Sequence, residues 1–341
     1  MTLKVNPSAT TWMEMINANT AAMIFHHPAW MQVMIDCYGY KPFIVGVQSA
    51  NDKLTAGVPI MEVNSFITGK RWVSLPFSDF CSPLYVDSGA YRQLSKNILA
   101  LAETEGIHTL ELRGMYEDHP NFLKSSEFVF HEVALDSDSD VVFSRLHSMH
   151  KRNVKTARSK GVEIVQGNTR EHLKEFYKLH LRSRRRQGVP IQPWKFFESL
   201  RKNLFENNLG YILLAYYNQK CVAGSVFLHW QKTLTYKFGA SLPDDLNIRP
   251  SNLIMWTAIQ WGCNNGFDKF DMGRTDLSQE GLRSFKSHWG AREYQLPYSY
   301  LAPHNTKANT SKLKETLAMV IRKSPLWVCR LTGELLYGHF G

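Results

Sequence analysis

The sequence predicts an α+β protein made of two related units. Its 341 residues exceed the usual size of one domain. In the second half, helical patterns precede three strands in meander order, a helix and final strands, which is an α+β order. A hairpin pattern at 44–58 also resembles one at 213–225, with Ala-Gly at the same offset after Lys53 and Lys220. This internal similarity favours a duplicated unit.

The first half follows the pattern of a small helix-and-sheet unit. Hydrophobic periodicity predicts helices over 12–17, 28–38 and 91–103, and strands over 42–47, 54–63, 72–75 and 109–113. A loop bracketed by Pro76 and Pro83 carries Asp79 between aromatic residues. A polar link at 136–140 offers N-cap side chains to the helix that follows.

The second half begins with a long basic helix. That helix is predicted over 141–160, with Gly161 as its C-terminal cap. The remaining helices are predicted over 172–187, 194–205 and 252–264, and the strands over 162–166, 211–216, 221–230, 234–239, 269–272 and 294–301.

Charge is distributed unevenly along the chain. Residues 1–140 hold 9 Lys and Arg against 16 Asp and Glu, a net charge of −7, whereas 141–341 hold 31 against 14, a net charge of +17. Between Arg145 and Arg186 there are 13 basic and 3 acidic residues. This imbalance indicates an anionic partner such as a phosphate-rich ligand, nucleic acid or a membrane surface; the alternative is a solvated helix face.

Several protein classes are disfavoured by composition. No apolar run approaches the roughly 20 residues of a membrane span, and the first residues lack an apolar signal core. The five cysteines are scattered, so we expect free thiols and a cytoplasmic location. The 13 histidines lack ligand partners at metal spacing, and we expect no metal. Without a nucleophile elbow or a phosphate-binding loop motif, direct transfer in a ternary complex is favoured over a covalent enzyme.

A family resemblance is carried by motifs in the second half. They are RNVKTAR at 152–158, RRRQGVP at 184–190, Ala223-Gly224, YKFGAS at 236–241, FDMGR at 270–274, Gly281-Leu282 and Phe285-Lys286. In order and spacing they resemble the FemAB-like branch of the GNAT acyltransferase superfamily, including the BioF2-like acetyltransferase domain. Leu75-Pro76 and Asp79 are the best marks of the family's degenerate first domain.

The resemblance implies tandem GNAT-like domains, each a mixed central sheet flanked by helices. We expect a degenerate domain at 1–140, an acyltransferase domain at 141–305 and a basic amphipathic tail at 306–341. The implied activity is N-acyl transfer to an amine of a cell-envelope or polysaccharide precursor, such as a peptidoglycan or exopolysaccharide precursor. The resemblance implies that the protein has no tightly bound cofactor. The donor is an aminoacyl-tRNA or an acyl-CoA, and the sequence leaves this choice open.

Each donor meets one departure from the family pattern. GNAT enzymes that use acetyl-CoA usually carry a glycine-rich loop before a helix N-terminus that binds pyrophosphate. Here that position reads NIRPSN at 247–252, without glycine, although Arg249 is suited to a phosphate. Family members that use tRNA often insert a long helical arm, for which this chain has no room.

The resemblance also implies the roles of individual residues. Lys286 is expected to stabilise the oxyanion of the tetrahedral intermediate, and Asp79, Asp271 or water to accept the proton of the attacking amine. Arg274 is expected to orient the substrate, or to form an ion pair with Asp271 that fixes the loop around Lys286. The alternative is that this ion pair serves only the structure. For Asp79 the alternative is a turn aspartate that caps backbone amides. The expected substrate-binding set is Arg152, Asn153, Lys155, Tyr236, Arg249, Arg274 and Phe285.

Two competing interpretations of the chain remain open. A non-catalytic RNA-binding protein would use the basic surface at 145–186. A membrane-peripheral protein would use residues 311–341, where apolar positions alternate with basic ones around Pro325 and Trp327. The same tail would serve an enzyme whose amine substrate is lipid-linked, and helix packing on the protein body is its structural alternative.

Overall fold

A computed structural model describes residues 2–116, 122–301 and 317–339. The chain divides into two compact units. The N-terminal unit comprises Met1–Phe128, Gln295–Ala308 and Gly338–Gly341, and the C-terminal unit comprises Val129–Tyr294 and Asn309–Tyr337. Each unit has a mixed sheet with helices, which confirms the predicted α+β class.

The N-terminal unit is built on an antiparallel core with one parallel pair. Its sheet order is β1-β2-β3-β4-β6-β13, in which β13 is Arg292–Leu301, with β5 beside β3 and with β4 and β6 parallel. The strands are β1 (Thr2–Val5), β2 (Lys41–Gln48), β3 (Leu54–Ser65), β4 (Gly69–Val73), β5 (Leu84–Tyr85) and β6 (Leu110–Leu112). The helices are α1 (Ala9–Ala18), α2 (Pro28–Tyr38) and α3 (Ser88–Thr104). Buried residues of α3 pack with β2, β3 and β6 in one apolar core.

The C-terminal unit has the larger core. Its sheet order is β7-β12-β11-β10-β9-β8, in which β11 and β12 are parallel. The strands are β7 (Phe122–Ala134), β8 (Glu163–Gly167), β9 (Gly210–Tyr217), β10 (Lys220–Trp230), β11 (Thr233–Ser241) and β12 (Lys269–Asp276). The helices are α4 (Ser139–Arg145), α5 (Ser148–Ser159), α6 (Arg170–Gln187), α7 (Trp194–Leu200), α8 (Pro250–Asn264), α9 (Glu280–Ser287), the described part of α10 (317–323) and α11 (Leu326–Leu336). In the chain, β7 and β13 span the boundary between the units.

The two similar hairpins are both present, and one glycine has the same role in each. A Cβ on Gly57 of β3 would lie 2.9 Å from the Trp12 ring of α1. A Cβ on Gly224 of β10 would lie 3.1 Å from the Phe176 ring of α6. In each unit, therefore, the glycine lets an aromatic side chain of a helix pack directly on a strand.

Two predicted helices differ from the structure in their course. The helix predicted over 141–160 is two helices, because Leu146 is extended and the His147 side chain accepts a hydrogen bond from the Met149 amide to begin α5. Gly161, with φ of 77°, follows α5 as predicted. The helix predicted over 194–205 becomes a π-helical turn after α7, at Arg201–Phe205.

No helix in the described ranges is both long and apolar enough to cross a bilayer. Of the predicted tail, residues 306–316 lie outside the described residues.

Candidate active site

The end of β12 is shaped by Asp271 and Gly273. Asp271 is buried, with 2% of its surface exposed, and its Oδ1 accepts a hydrogen bond of 2.8 Å from the Gly273 amide. Gly273 has φ of 72°, a left-handed conformation that favours glycine. The carbonyl oxygens of Gly273 and Arg274 accept hydrogen bonds from a side chain of the neighbouring helix α9.

Lys286 of α9 is the donor of both of these hydrogen bonds. Only 5% of its surface is exposed. Its Nζ donates to the Gly273 oxygen at 2.7 Å and to the Arg274 oxygen at 3.3 Å. Carbonyl dipoles offset part of the large cost of burying an ammonium group. The two hydrogen bonds hold the Lys286 amine in one position beside β12.

The segment that carries Phe285 and Lys286 is a helix, whereas the sequence indicated a loop. Residues Glu280–Ser287 are helical, and the buried Trp289 follows them. Phe285 is 36% exposed, and its ring lies 5.1 Å from the ring of His150. Phe285 and Lys286 therefore project from a rigid element.

His150 of α5 fixes this helix from one side. The His150 side chain is fully buried and stacks on Trp289 with ring centroids 4.3 Å apart. Its Nε2 lies 3.3 Å from the Phe285 carbonyl oxygen, and its Nδ1 lies 2.8 Å from the Asn252 side-chain nitrogen. Since the Asn252 amide donates, Nδ1 accepts and Nε2 carries the proton that is donated to Phe285. Burial lowers the pKa of His150, which favours this neutral form.

An ion-pair network holds α9 from another side. Arg283 donates two hydrogen bonds of 2.8 Å to the carboxylate of Glu293 on β13, and His131 Nε2 of β7 lies 3.2 Å from the same carboxylate. The hydrogen bonds from Arg283 lower the pKa of Glu293. Burial and then the nearby charge of Lys286 lower the pKa of His131. These contacts were not predicted from the sequence, because Asn252 lies 102 residues from His150 and no local pattern pairs Arg283 with Glu293.

The predicted anion-binding residues of α5 lie on an open surface. Arg152 and Lys155 are exposed, and with Ser148, Lys151, Thr156 and Ser159 they line a shallow cleft of about 400 Å³. Asn153 of the same helix is half-buried. The cleft is compatible with a phosphate-bearing ligand, because cations and hydroxyl donors share its lining.

Arg249 and Tyr236 occupy other elements of the C-terminal unit. Arg249 is exposed and has φ of 57° at the N-terminal cap of α8, which begins at Pro250. Tyr236 lies on β11, next to Thr235, which pairs with Asp271 of β12. Burial raises the pKa of Tyr236, and a hydrogen bond from the Ser225 side chain acts in the opposite direction. Arg274 is exposed, and its carbonyl binds Lys286.

Asp79 belongs to the N-terminal unit. It lies in a loop in which Leu75 and Phe77 have left-handed backbones, and Tyr298 donates a hydrogen bond to its carbonyl oxygen. The buried Arg113 holds the loop by donating to the Ser78 oxygen at 2.7 Å. Although burial acts against it, the pKa of Arg113 is raised by Glu111 and by further groups that include Asp79. The hydrogen bond from Tyr298 thus involves the backbone of Asp79, and the role of its side chain as a proton acceptor stays a prediction.

Within the described ranges, no group of three His, Cys, Asp or Glu side chains is arranged to hold a metal ion. The candidate active site is accordingly described by the charge of Lys286, the end of β12 and the residues that fix α9.

Comparison with known proteins agrees with this arrangement. Residues 144–295 match the family model described as an acetyltransferase (GNAT) domain. A 151-residue region, 44% of the chain, is 22% identical to 44% of the UDP-N-acetylmuramoylpentapeptide-lysine N(6)-alanyltransferase of Weissella viridescens. The matched region thus spans less than half the length of that relative.

Solved structures show the same fold over most of the chain. The crystal structure of FemX superposes with a TM-score of 0.71 at 13% identity, covering 93% of this chain and all of that one. The structure of L-PGS from Bacillus licheniformis superposes with a TM-score of 0.56 at 12% identity, covering 94% and 98% of the two chains.

Residues 144–295 therefore resemble a GNAT acetyltransferase domain, and the fold is similar to that of FemX over most of the chain. These similarities agree with the resemblance to the FemAB-like branch that the motifs carry.

Proposed function

We propose that this protein is an N-acyltransferase that acts on an amine of a peptidoglycan precursor. The observation that carries the proposal is the Lys286 ammonium group, held at the end of β12 by two backbone carbonyls. The GNAT domain match and the alanyltransferase relative support the acyltransferase class and the type of acceptor.

The proposed reaction is direct attack of the acceptor amine on the carbonyl carbon of the donor. As the new C–N bond forms, negative charge develops on the carbonyl oxygen, and the nearby charge of Lys286 stabilises it. Asp79, Asp271 or water takes the proton that the amine loses. As the carbonyl re-forms, the C–O bond to tRNA or the C–S bond to CoA breaks, and the leaving oxygen or sulfur receives that proton from the same base, which releases the tRNA hydroxyl or CoA thiol. Because Asp271 already accepts the Gly273 amide, its role includes shaping the end of β12.

An anionic donor is supported by the basic surface of α5 and by Arg249 at the start of α8. Exposed Arg152 and Lys155 would bind phosphate groups, and the N-terminus of α8 favours negative charge near Arg249. Both an aminoacyl-tRNA and an acyl-CoA satisfy this chemistry. In the alternative function, RNA binding without catalysis, the same surface would act alone.

The experiment uses the full chain with each donor class separately. Isotope-labelled aminoacyl-tRNAs or acyl-CoAs are incubated with a UDP-linked muramoyl pentapeptide, and the acceptor is analysed by mass spectrometry. We expect one donor class to add its acyl mass to an amine of the acceptor. Salt-dependent RNA binding with no transfer from either donor class to this or a lipid-linked precursor would support the non-catalytic alternative.

We also propose that the tail contacts an anionic membrane surface. On α11, Trp327, Leu331 and Leu335 are 64%, 49% and 63% exposed at four-residue spacing, so they form one apolar ridge. Lys323 and Arg330 are exposed close to this ridge in the chain. Apolar area combined with cationic side chains is the chemistry of interfacial helices. Such contact would bring the enzyme close to a lipid-linked precursor.

A further inference from the structure

A second cavity lies in the C-terminal unit, at the opposite end of its sheet from Lys286. It has a volume of about 430 Å³ and is lined by ends of β8, β9 and β10 and by α8. Strand pairing places the cavity towards the end of the sheet where β12 starts. His229 of β10 pairs with Leu234 of β11, and the adjacent Thr233 pairs with Lys269, the first residue of β12. Gly273, which binds Lys286, is four residues further along β12, or roughly 13 Å at the rise of a strand.

The wall of this cavity is aromatic. The rings of Tyr211 and Trp261 have centroids 4.7 Å apart at an angle of 57°, and those of His229 and Trp261 are 5.5 Å apart at 46°. The Trp261 ring also stacks on Phe267, with centroids 5.4 Å apart at 30°, so these rings form one aromatic cluster at the lining. A planar base would instead favour parallel rings with a gap between them.

Amide side chains surround the aromatic wall. Gln166, Asn168 and Asn208 are exposed and line the cavity. Each amide offers both a donor and an acceptor, which matches a ligand hydroxyl group. Among the described residues, the lining includes no Lys, Arg, Asp or Glu. Burial lowers the pKa of His229, so the imidazole is neutral near pH 7.

The Tyr211 hydroxyl adds a buried polar group beside the cavity. It has no hydrogen-bond partner within the described part of the chain. Burial raises the pKa of this tyrosine, so the hydroxyl stays protonated. A polar wall next to rings is unusual for a packed core and is typical of ligand sites.

We propose that this cavity binds an uncharged pyranose sugar. The non-planar C–H face of the sugar packs on Trp261, while its hydroxyl groups bind the amides of Asn168 and Asn208. Without lining cations, the cavity disfavours phosphate, so it is distinct from the anionic cleft of α5. The sugar site stands whether or not the proposed acyl transfer is correct.

Isothermal titration calorimetry tests this site in the full chain without any acyl donor. The probes are N-acetylglucosamine and its trimer, with uridine and inorganic phosphate as comparison ligands. We expect saturable binding of the sugars, tighter for the trimer, and little heat from uridine or phosphate.

Two substitutions at exposed lining residues test the sugar site without disturbing the buried core. Asn208 has φ of 54°, so Asn208→Gly removes the amide while keeping a backbone that glycine adopts freely. Combined with Asn168→Ala, it should weaken sugar binding at least about tenfold, since two hydrogen bonds are lost. Asn247→Ala, at an exposed amide outside the cavity, is the matched control and should bind as the unchanged protein does.

The proposal is overturned by any of three results: no saturable sugar binding, equal affinity for uridine, or full sugar affinity in the double variant. A Lys286→Met protein serves to separate the two proposals. It should lose acyl transfer and keep sugar binding, so a failure of one is distinguishable from a failure of the other.

Discussion

Lys286 combines a buried position with two hydrogen bonds from its Nζ to backbone carbonyls, and this combination defines its chemistry. With 5% of its surface exposed, its ammonium group is largely removed from water. The carbonyl oxygens of Gly273 and Arg274 hold it in one position. A preorganised charge in a site with little water stabilises an oxyanion more strongly than a mobile surface lysine would.

His180 of α6 gives a prediction about pH. It is buried against Phe176 and Phe197, and its Nε2 lies 3.1 Å from the Gln192 side-chain oxygen. Burial, followed by the charge of Arg184, lowers the pKa of His180 from 6.5 to about 3. Between these values the unfolded state binds a proton that the folded state does not, so stability falls as pH falls below 6.5.

We therefore expect His180→Gln to reduce the acid sensitivity of folding. At about pH 5 this histidine lowers the free energy of unfolding by about 2 kcal/mol relative to neutral pH. In the variant this part of the pH dependence should be absent. Urea unfolding at both pH values measures it, with His108→Gln, at an exposed position, as the control. An unchanged pH dependence in the His180 variant would show that this residue is not the cause.

At the scale of elements, α9 depends on its neighbours for its position. The helix has eight residues, too few to be stable alone. His150 of α5 binds its Phe285 carbonyl, and Glu293 of β13 binds its Arg283. Packing from both sides therefore sets where Lys286 lies.

Removing the His150 contact should weaken transfer by moving α9. We expect Asn252→Ala to leave His150 free to turn, and to lower kcat more than tenfold with a smaller change in KM. Hydrogen exchange of the α9 amides should become faster while the rest of the unit exchanges as before. A loss of overall stability would instead speed up exchange throughout the unit. Asn265→Ala, at the other end of α8, is the control. Normal exchange and normal kcat in the Asn252 variant would exclude this positioning role.

For the whole molecule, the exposed ridge of α11 predicts membrane attachment. One face of α11 packs on the C-terminal unit, where a Cβ on Gly333 would collide with the Ile191 backbone. The opposite face leaves Trp327 and Leu331 exposed. The structure thus shows a packed helix with a free apolar ridge.

We expect the protein to float with vesicles that contain anionic phosphatidylglycerol and to remain unbound with neutral vesicles. Trp327→Ser with Leu331→Ser should reduce the bound fraction at least about tenfold, because apolar burial drives the contact. Val165→Ser, at an exposed apolar residue of β8, is the control. Equal flotation of the double variant would contradict a membrane role for α11.

The fold was predictable where local patterns determine structure. The hairpins, the helix α3 and the start of α8 follow from periodicity and from turn residues. The helix α9 was not predictable, because Gly281 and its short length gave it no helical signal. It is helical because tertiary contacts stabilise it.

The candidate site was predictable only in part, for the same reason. Lys286 and Asp271 were predicted from their motif, and their catalytic roles stay predictions, whereas the pairing of His150 with Asn252 joins residues 102 positions apart. The pair of histidines at 147 and 150 was visible in the sequence, but no nearby residue indicated its partner. Such contacts depend on packing between elements that no local pattern records.

The rate of acyl transfer by Lys286→Met measures the central claim most directly. Methionine keeps much of the side-chain volume and removes the charge, so kcat should fall about 10²–10³-fold, while KM for the acceptor changes little. Lys195→Ala, at an exposed lysine of α7, should transfer at the normal rate. A folded Lys286→Met protein that transfers the acyl group as fast as the unchanged protein would contradict the account.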